Sequence, residues 1–295
     1  MSKEQEVVMV RGVSAPTVRE RLVSDLAVTE RQLTVAGIPT AVLEGGDGPP
    51  VVLLQAEFGL VWLRVIPGLV GTHRVIVPEL PGIGGSELPD GPYDVDVALR
   101  WLGSLIGQTC DAPPVLVGKG PAGAIALRFA VANGDRLAGL VLVDTHGLRR
   151  FRPTPRMALS FVGMMLRPTS KRVERIFGRY CFTDLDQVRL DLGERWEWLS
   201  ALMLDHFRSP KARRAMRTLL PRLGRPLANE DLARIAVPTT LIWGAEDVGM
   251  PVKVAAEASA RYQWPLHVIE GARDDPAIER PEAFLAALQS RLEDG

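Results

Sequence analysis

The chain has 295 residues, enough for one large domain or two small ones, and 46% of them are apolar while 24% are charged. These values are typical of folded proteins and exclude intrinsic disorder. Because 35 Lys and Arg residues balance 35 Asp and Glu residues, the total charge gives no reason to expect nucleic acid or an anionic membrane as a partner.

Residues 1–29 are predicted to form an N-terminal arm. The first six residues, Met1 to Glu6, do not form a basic stretch that leads into an apolar one, so no secretion signal is predicted. Val13–Leu26 has weak helical periodicity and would lie on the body of the protein or on a partner, such as the second copy in a homodimer. No apolar run approaches the ~18 residues that span a bilayer, and we expect a soluble cytoplasmic protein.

From Arg31 onward the chain alternates strand and helix patterns. Arg31–Val35 and Thr40–Leu43 predict a hairpin around Ala36-Gly37. The next predicted strands are apolar runs typical of strands buried on both faces: Val51–Leu54, Arg74–Val77, Val115–Val117, Leu140–Val143, Thr239–Trp243 and Leu266–Ile269. The helices predicted between or after them are Val95–Ile106, Ala122–Asn133 (closed by Gly134), Val252–Tyr262 and Pro281–Leu292. This order predicts a doubly wound, mostly parallel sheet with helices on both faces, and ligands bind such sheets at the carboxyl ends of the strands.

The alternation of predicted strands and helices stops between Gly147 and Pro226, where no strand is predicted. This segment holds five of the eight Met residues, and it has 18 Lys and Arg against 7 Asp and Glu, a net charge of +11 that leaves −11 on the rest of the chain. We expect an all-helical insertion that covers the strand ends with apolar side chains. Ordinary helix packing is the alternative for those side chains, and a solvated face or pairing with the acidic remainder is the alternative for the arginines.

Five landmarks, each after a predicted strand, resemble the α/β-hydrolases with a helical cap over residues 30–292. They are Val51–Ala56, the Pro78-Glu79-Leu80-Pro81-Gly82 run that continues to Ser86, Val117–Gly123, Trp243–Asp247 and Ile269–Ala272. The resemblance implies an α/β-hydrolase core at 30–147 and 227–295 with a cap at 148–226.

The family places a nucleophile at the centre of G-x-S-x-G, then an acid, then a histidine. Here the centre is Gly120, which has no side chain, the acid position is Asp247, and the histidine position is Asp274. The residue after the nucleophile donates its backbone N–H to the oxyanion, and Pro121 has none. The other donor loop reads Gln55-Ala56-Glu57, which brings a carboxylate near the oxyanion position. The resemblance therefore implies a degenerate triad that cannot carry out covalent acyl transfer.

Two interpretations of these substitutions remain open. The chain is either an inactive relative kept for binding a ligand or partner, or an enzyme whose pocket was rebuilt around polar groups at Gln55, Glu57, Lys119, Asp247 and Asp274. Any one of these groups alone is better explained as a solvated or salt-bridged residue, for example in a pair between Arg273 and Asp274. His146, just beyond a predicted strand, is a further catalytic candidate, with packing as its alternative.

We favour the enzyme, with Asp247, Asp274, Glu57 and His146 as catalytic candidates. The substrate-binding candidates are Gln55, Lys119, Gly120, Pro121, Phe161, Met164, Met165 and Trp196. Cyclisation, isomerisation or elimination of an apolar small molecule, as in polyketide tailoring, is the expected reaction class. Hydrolysis through another nucleophile is the weakest hypothesis. No dinucleotide fingerprint, phosphate loop or metal-ligand spacing occurs, so neither a cofactor nor a metal is expected.

Overall fold

The computed structural model describes residues 17–56 and 61–293. Within these ranges eight strands form one sheet: β1 (Thr29–Val35), β2 (Ile38–Gly45), β3 (Pro50–Leu54), β4 (Arg74–Pro78), β5 (Val115–Lys119), β6 (Gly139–Val143), β7 (Thr239–Gly244) and β8 (Leu266–Ile269). The helices are α1 (Val18–Val23), α2 (Ile66–Leu69), α3 (Val95–Thr109), α4 (Gly120–Asn133), α5 (Pro155–Leu166), α6 (Ser170–Ile176), α7 (Leu185–Leu192), α8 (Glu194–Arg208), α9 (Pro210–Leu223), α10 (Asn229–Ala233), α11 (Val252–Tyr262), α12 (Pro276–Glu279) and α13 (Pro281–Glu293). A π-helical turn at Phe177–Cys181 follows α6.

The strand order in the sheet is β1-β2-β4-β3-β5-β6-β7-β8. The two pairings that involve β2 are antiparallel and all the others are parallel, which confirms the predicted doubly wound, mostly parallel sheet. The predicted hairpin is also confirmed. Val35 pairs with Ile38, and the two residues between them, Ala36 and Gly37, have positive φ angles of 49° and 80°, which suit a twisted two-residue turn.

The central strands are apolar along their whole length because both faces of the sheet are covered. Successive side chains of a strand point to opposite faces. Val51 and Leu53 of β3 accordingly belong to the hydrophobic cluster on one side of the sheet, while Val52 and Leu54 belong to the cluster on the other side. The sheet is thus a rigid platform whose strand ends fix the residues that follow them.

Several helix ends differ from the sequence prediction, and α3, for example, ends at Thr109 and not at Ile106. The helix predicted at Ala122 begins at Gly120, and Gly134 does not end the helix in a left-handed conformation. Its φ and ψ of −60° and −30° are helical, and the chain continues into a 3₁₀ turn. In the N-terminal arm, α1 is capped by Thr17 and Arg195 of α8 donates to Asp25 at 2.8 Å. The part of the predicted arm before Thr17 lies outside the described residues.

The segment between β6 and β7 is helical, as its composition predicted. It carries α5 to α9, the π-helical turn and the short α10, and the described chain has no strand there. Within the ranges that the structure describes, no helix combines the length and the apolar character needed to cross a bilayer.

Candidate active site

A cavity of about 440 Å³ lies between the carboxyl ends of the strands and the inserted helices. Pro121, His146, Asp247 and Asp274 line it from the sheet side, and Phe161 is among the residues of the inserted helices on the other side. Most of its other lining side chains are apolar: Ala56, Phe151, Pro153, Met157, Ala158, Met165, Ile176, Tyr180, Phe207, Met216, Leu220, Pro221 and Met250. A volume of this size and character suits a small, mostly apolar ligand.

The turn between β5 and α4, where the resemblance predicts the nucleophile, keeps the strained geometry of that position. Gly120 has a φ of 52°, and α4 begins there with Pro121 as its second residue. The helix packs closely against the strand ends, since a Cβ atom on Gly123 would lie 2.1 Å from Oγ1 of Thr145. The turn is therefore sharp, but Gly120 offers no side chain and Pro121 no N–H to the cavity.

Lys119 holds two carboxylates at the end of β5. Its buried Nζ lies 3.2 Å from Oδ2 of Asp274 and 3.0 Å from Oδ1 of Asp275. Asp275 is buried as well, whereas Asp274 is partly exposed at the cavity wall. The anticipated pair between Arg273 and Asp274 does not form among the described residues. The guanidinium of Arg273 instead donates to the carbonyl oxygens of Gly178, Arg179 and Phe182.

Asp247 presents a carboxyl oxygen to which no described residue donates a hydrogen bond. Its Oδ1 accepts from the backbone N–H groups of Gly249 at 2.7 Å and Met250 at 3.1 Å. Its Oδ2 is buried and has no hydrogen bond from the described residues. Burial, and then the negative charge of Asp274, raises the pKa of Asp247 to about 8. At neutral pH this side chain is a carboxylic acid beside an apolar cavity.

A third carboxyl, Asp144, follows β6 directly and was not singled out by the sequence analysis. It is fully buried with a φ of 43°, and its Oδ1 accepts from the N–H of Gly244 at 2.9 Å. Burial, and then the charges of Asp247 and Asp274, raises the pKa of Asp144 well above its usual range. Its position immediately after a buried strand, next to the candidate His146, is the signal that would have found it.

Two histidines border the cavity in the neutral form. Burial lowers the pKa of His146 to about 4, and it has the same effect on His206 of α8. The ring of His146 stacks on Phe151 with 4.7 Å between centroids, and its Nδ1 has no partner within the described chain. His206 was not among the predicted site residues, because the orientation of α8 could not be read from the sequence.

The structure brings some of the predicted substrate-binding residues together and places others elsewhere. Pro121, Phe161 and Met165 line the cavity with the carboxyl and imidazole groups. Met164 and Trp196 do not line it. Met164 is fully buried in the hydrophobic core, and Trp196 packs against Phe182 with 6.3 Å between ring centroids.

The remaining predicted residues lie behind the cavity wall or outside the described chain. Gly120 and Lys119 are buried at the end of β5 and do not line the cavity. Gln55 is also buried, and its Oε1 accepts from the N–H of Val61 at 3.2 Å. Glu57, a candidate catalytic carboxylate, lies outside the described residues.

One group of side chains in the described ranges brings three metal-ligand atoms together. Single atoms of Cys181, Asp274 and Asp275 lie within 4.8 Å of one another. The ammonium of Lys119 already contacts both carboxylates, so a metal ion there would have to displace it.

Comparison with known proteins identifies the family. A sequence profile of the alpha/beta hydrolase family matches residues 42–287. The chain belongs to the alpha/beta hydrolase family.

Several relatives of the chain are named as hydrolytic enzymes. A pimeloyl-[acyl-carrier protein] methyl ester esterase of Aeromonas hydrophila is 24% identical over 252 residues, which are 83% of this chain and 95% of that protein. A 2-hydroxy-6-oxo-6-(2'-aminophenyl)hexa-2,4-dienoic acid hydrolase of Metapseudomonas resinovorans is 34% identical over 131 residues, 42% of this chain, and the match spans only 45% of that protein. The solved structure of a serine hydrolase involved in carbazole degradation has a TM-score of 0.75 at 23% identity and covers 91% of this chain and 100% of that one. At that identity the structural likeness shows the fold alone.

Proposed function

We propose that this member of the family binds a mostly apolar small molecule and cyclises, isomerises or eliminates it by proton transfer, without a covalent intermediate. The observation that carries the proposal is Oδ2 of Asp247, a buried carboxyl oxygen with no partner from the described residues, at the wall of an apolar cavity. A buried polar atom without a partner costs stability, and at a cavity wall a catalytic role or a bound molecule explains it.

The proposal departs from the hydrolytic activities named for the relatives because of the turn at Gly120. Covalent hydrolysis in this fold needs a nucleophile at that turn and a backbone donor from the next residue. Loss of a single oxyanion donor costs ~3–4 kcal/mol, and loss of the nucleophile removes the acyl-enzyme route altogether. Because Gly120 has no side chain and Pro121 has no backbone N–H, the proposed role of the cavity is ligand binding and proton transfer.

The proposed chemistry assigns complementary roles to two carboxyls. Asp247 is protonated below pH ~8 and donates its proton to a basic atom of the substrate, such as a carbonyl oxygen. Asp274, ion-paired with Lys119, accepts a proton from a carbon or hydroxyl of the same substrate. After one turnover Asp247 is ionised and Asp274 protonated, so one proton passing back through water restores both groups. Neutral His146 orients the substrate through its free Nδ1.

The substrate class follows from the cavity. Its lining is rich in aromatic and thioether side chains, with a few polar groups, among them Asp247 on the sheet side and His206 on the inserted side, which suits a polycyclic or polyketide-like molecule with one or two oxygen functions. A tailoring step of secondary metabolism is consistent with such a molecule.

A second candidate function is ligand binding without catalysis. The ion pair between Lys119 and Asp274 favours it, because a proton accepted by Asp274 would remove the charge that pairs with the ammonium. The same cavity would then serve as a carrier or sensor site.

The test begins with mass spectrometry of the purified protein under native conditions to identify a co-purifying ligand, followed by turnover assays on that ligand and its precursors. We expect turnover that declines above pH ~8, when Asp247 loses its proton. Asp247→Asn should reduce it at least ~100-fold, the usual scale for an acid or base. Glu246→Gln is the matched control, since Glu246 is the exposed neighbour of Asp247 and does not line the cavity.

Three results would contradict the proposal. Tight binding without turnover would support the carrier function instead. Equal turnover by Asp247→Asn and Glu246→Gln would remove Asp247 from the chemistry. Hydrolysis of generic aryl esters well above background would show that an unrecognised nucleophile operates in this cavity.

A further inference from the structure

We propose that the outer face of α5 and the basic residues on either side of it dock on an anionic lipid surface, beside the mouth of the cavity. This inference concerns a surface and not the chemistry in the cavity. It can therefore hold or fail independently of the proposed function.

The first observation is that α5 is apolar on both of its faces. Met157 and Met164 are buried on the inner side. On the outer side Leu159, Val162 and Leu166 are 72%, 52% and 76% exposed. Their spacing of three and four residues places them in one stripe along the helix. A helix that is hydrophobic all round is expected to be buried in a core or in lipid, and no described part of the chain covers this stripe.

The second observation is that basic side chains flank α5 in sequence at both ends. Six of them are exposed, and none forms an ion pair with a described residue: Arg149, Arg150, Arg152, Arg156, Arg167 and Lys171. An apolar helical face bordered by Arg and Lys is typical of helices that lie in the plane of a membrane interface, with the cations at the level of the headgroups.

The dimensions of α5 favour a surface orientation. Twelve residues form a helix of ~18 Å, well short of the ~30 Å hydrocarbon layer, so α5 would lie flat with its outer stripe among the acyl chains.

The net charge of zero for the whole chain conceals a strongly basic segment. Residues 147–226 carry 18 basic and 7 acidic side chains, a net charge of +11, and the other residues carry −11. Electrostatic attraction to an anionic surface therefore acts on the inserted helices, whereas the net charge of the other residues is repelled by it. The expectation drawn from total charge, that no membrane takes part, therefore does not apply to this face.

Part of the cavity wall is exposed beside this surface. Pro153, two residues before α5, lines the cavity from an exposed position, and so do Arg217 and Leu220 of α9. An apolar molecule dissolved in the bilayer could enter the cavity from this side without crossing water. The lipid surface would then be the source of the ligand as well as the docking partner.

Vesicle binding tests the proposal with the full chain and no substrate. The probes are vesicles of phosphatidylcholine alone and vesicles with about one third phosphatidylglycerol, measured by co-sedimentation at low and high salt. We expect binding to the anionic vesicles, weakened by salt. Leu159→Ser, Val162→Ser and Leu166→Ser combined should lower the partition coefficient at least ~10-fold. Arg152→Glu with Arg156→Glu should lower it by a similar factor on anionic vesicles.

Matched controls separate this face from the rest of the surface. Leu190→Ser changes a leucine of α7 that is also 76% exposed, and Arg100→Glu with Arg261→Glu changes two exposed arginines outside the inserted helices. Both controls should bind as the wild type does, and unchanged melting temperatures should show that every variant is folded.

Three outcomes would overturn the proposal. The first is no binding of the wild type to anionic vesicles at low salt. The second is equal loss of binding in the α5 variants and in their controls. The third is a dimer in solution that the three serine substitutions dissociate, without vesicle binding, because a second copy of the chain would then cover the stripe.

Discussion

Charged residues at the strand ends differ in number, burial and pairing from those on the inserted helices. At the strand ends the charged groups are few and mostly buried, and Lys119 is paired with Asp274 and Asp275. On the inserted helices arginines are numerous and exposed, and those around α5 have no carboxylate partner among the described residues. A buried ion pair constrains the structure that surrounds it, whereas exposed charges leave the local fold to apolar packing. Substitutions of equal chemistry should therefore have unequal effects in the two regions.

The largest expected effect is that of Lys119→Met. Removal of the ammonium leaves the carboxylate of Asp275 buried without its cation, which should lower the free energy of unfolding by ~3–5 kcal/mol. Lys211→Met is the matched control, because Lys211 of α9 pairs with exposed Glu87 at 3.0 Å and should contribute less than ~1 kcal/mol. Urea denaturation of both variants measures the difference, and equal losses would show that the two regions do not differ in this respect.

A double variant identifies the origin of that loss. Adding Asp275→Asn to Lys119→Met removes the carboxylate that has lost the ammonium of Lys119 and should recover at least half of the lost stability. No recovery would mean that Lys119 acts through its packing, since its long side chain is buried at the end of β5.

The next effect in size is the pH dependence of stability at Asp247. The unfolded chain ionises this carboxyl near pH 3.9, but the folded chain keeps its proton up to about pH 8. The folded state thus binds more protons between these values, and its stability falls as the pH rises through the window. Asp247→Asn should remove this fall and raise the melting temperature relative to wild type by several degrees more at pH 8 than at pH 4. A constant difference at both pH values would refute the raised pKa, and Glu246→Gln should show no such trend.

The sheet could be predicted almost residue by residue because its signal is local. Runs such as Val51–Leu54 are apolar at every position only when both faces of a strand are covered, and α11 lies at Val252–Tyr262 as its pattern indicated. The partner of Lys119 could not be predicted in this way. Asp274 and Asp275 are more than 150 residues away, and only the three-dimensional fold brings them to the end of β5.

The inserted helices could be predicted as helices but not oriented. Met164 and Met165 are adjacent, and adjacent residues of a helix point ~100° apart, so both could not face the same cavity. The structure turns Met165 to the cavity and Met164 to the core. The same uncertainty placed Trp196 in the predicted site and left out His206 on the same helix, α8. Asp144 was missed although it directly follows β6, because only the three-dimensional fold brings the carboxyls of Asp247 and Asp274 close to it.

A smaller effect is expected from the inserted side of the cavity. Phe161 lines it and stacks on Tyr180 with 6.2 Å between ring centroids, but its side chain is only half-buried. Phe161→Ala should lower the stability of the free protein by ~1–2 kcal/mol and reduce the ligand-induced rise in melting temperature by a larger amount. Thermal denaturation with and without a bulky apolar ligand checks this. An unchanged ligand-induced rise would assign Phe161 to the packing of the inserted helices.

The smallest expected effect is that a variant with a restored hydroxyl and imidazole gains no esterase activity. Gly120→Ser with Asp274→His returns a hydroxyl and an imidazole to the positions that the family's chemistry uses, on a turn whose φ of 52° already suits a nucleophile. The double variant should still hydrolyse aryl esters at the background rate, because Pro121 has no N–H to hold the oxyanion and the loss of one such donor costs ~3–4 kcal/mol. Removal of Asp274 also frees Lys119 from one of its two carboxylates and leaves an ammonium beside the new imidazole, which disfavours the imidazolium that forms during acyl transfer. Adding Pro121→Ala restores the donor, so a rise in esterase rate only in that triple variant would assign the lost activity to the proline. Strong hydrolysis by the double variant would instead place the reacting carbonyl elsewhere in the cavity.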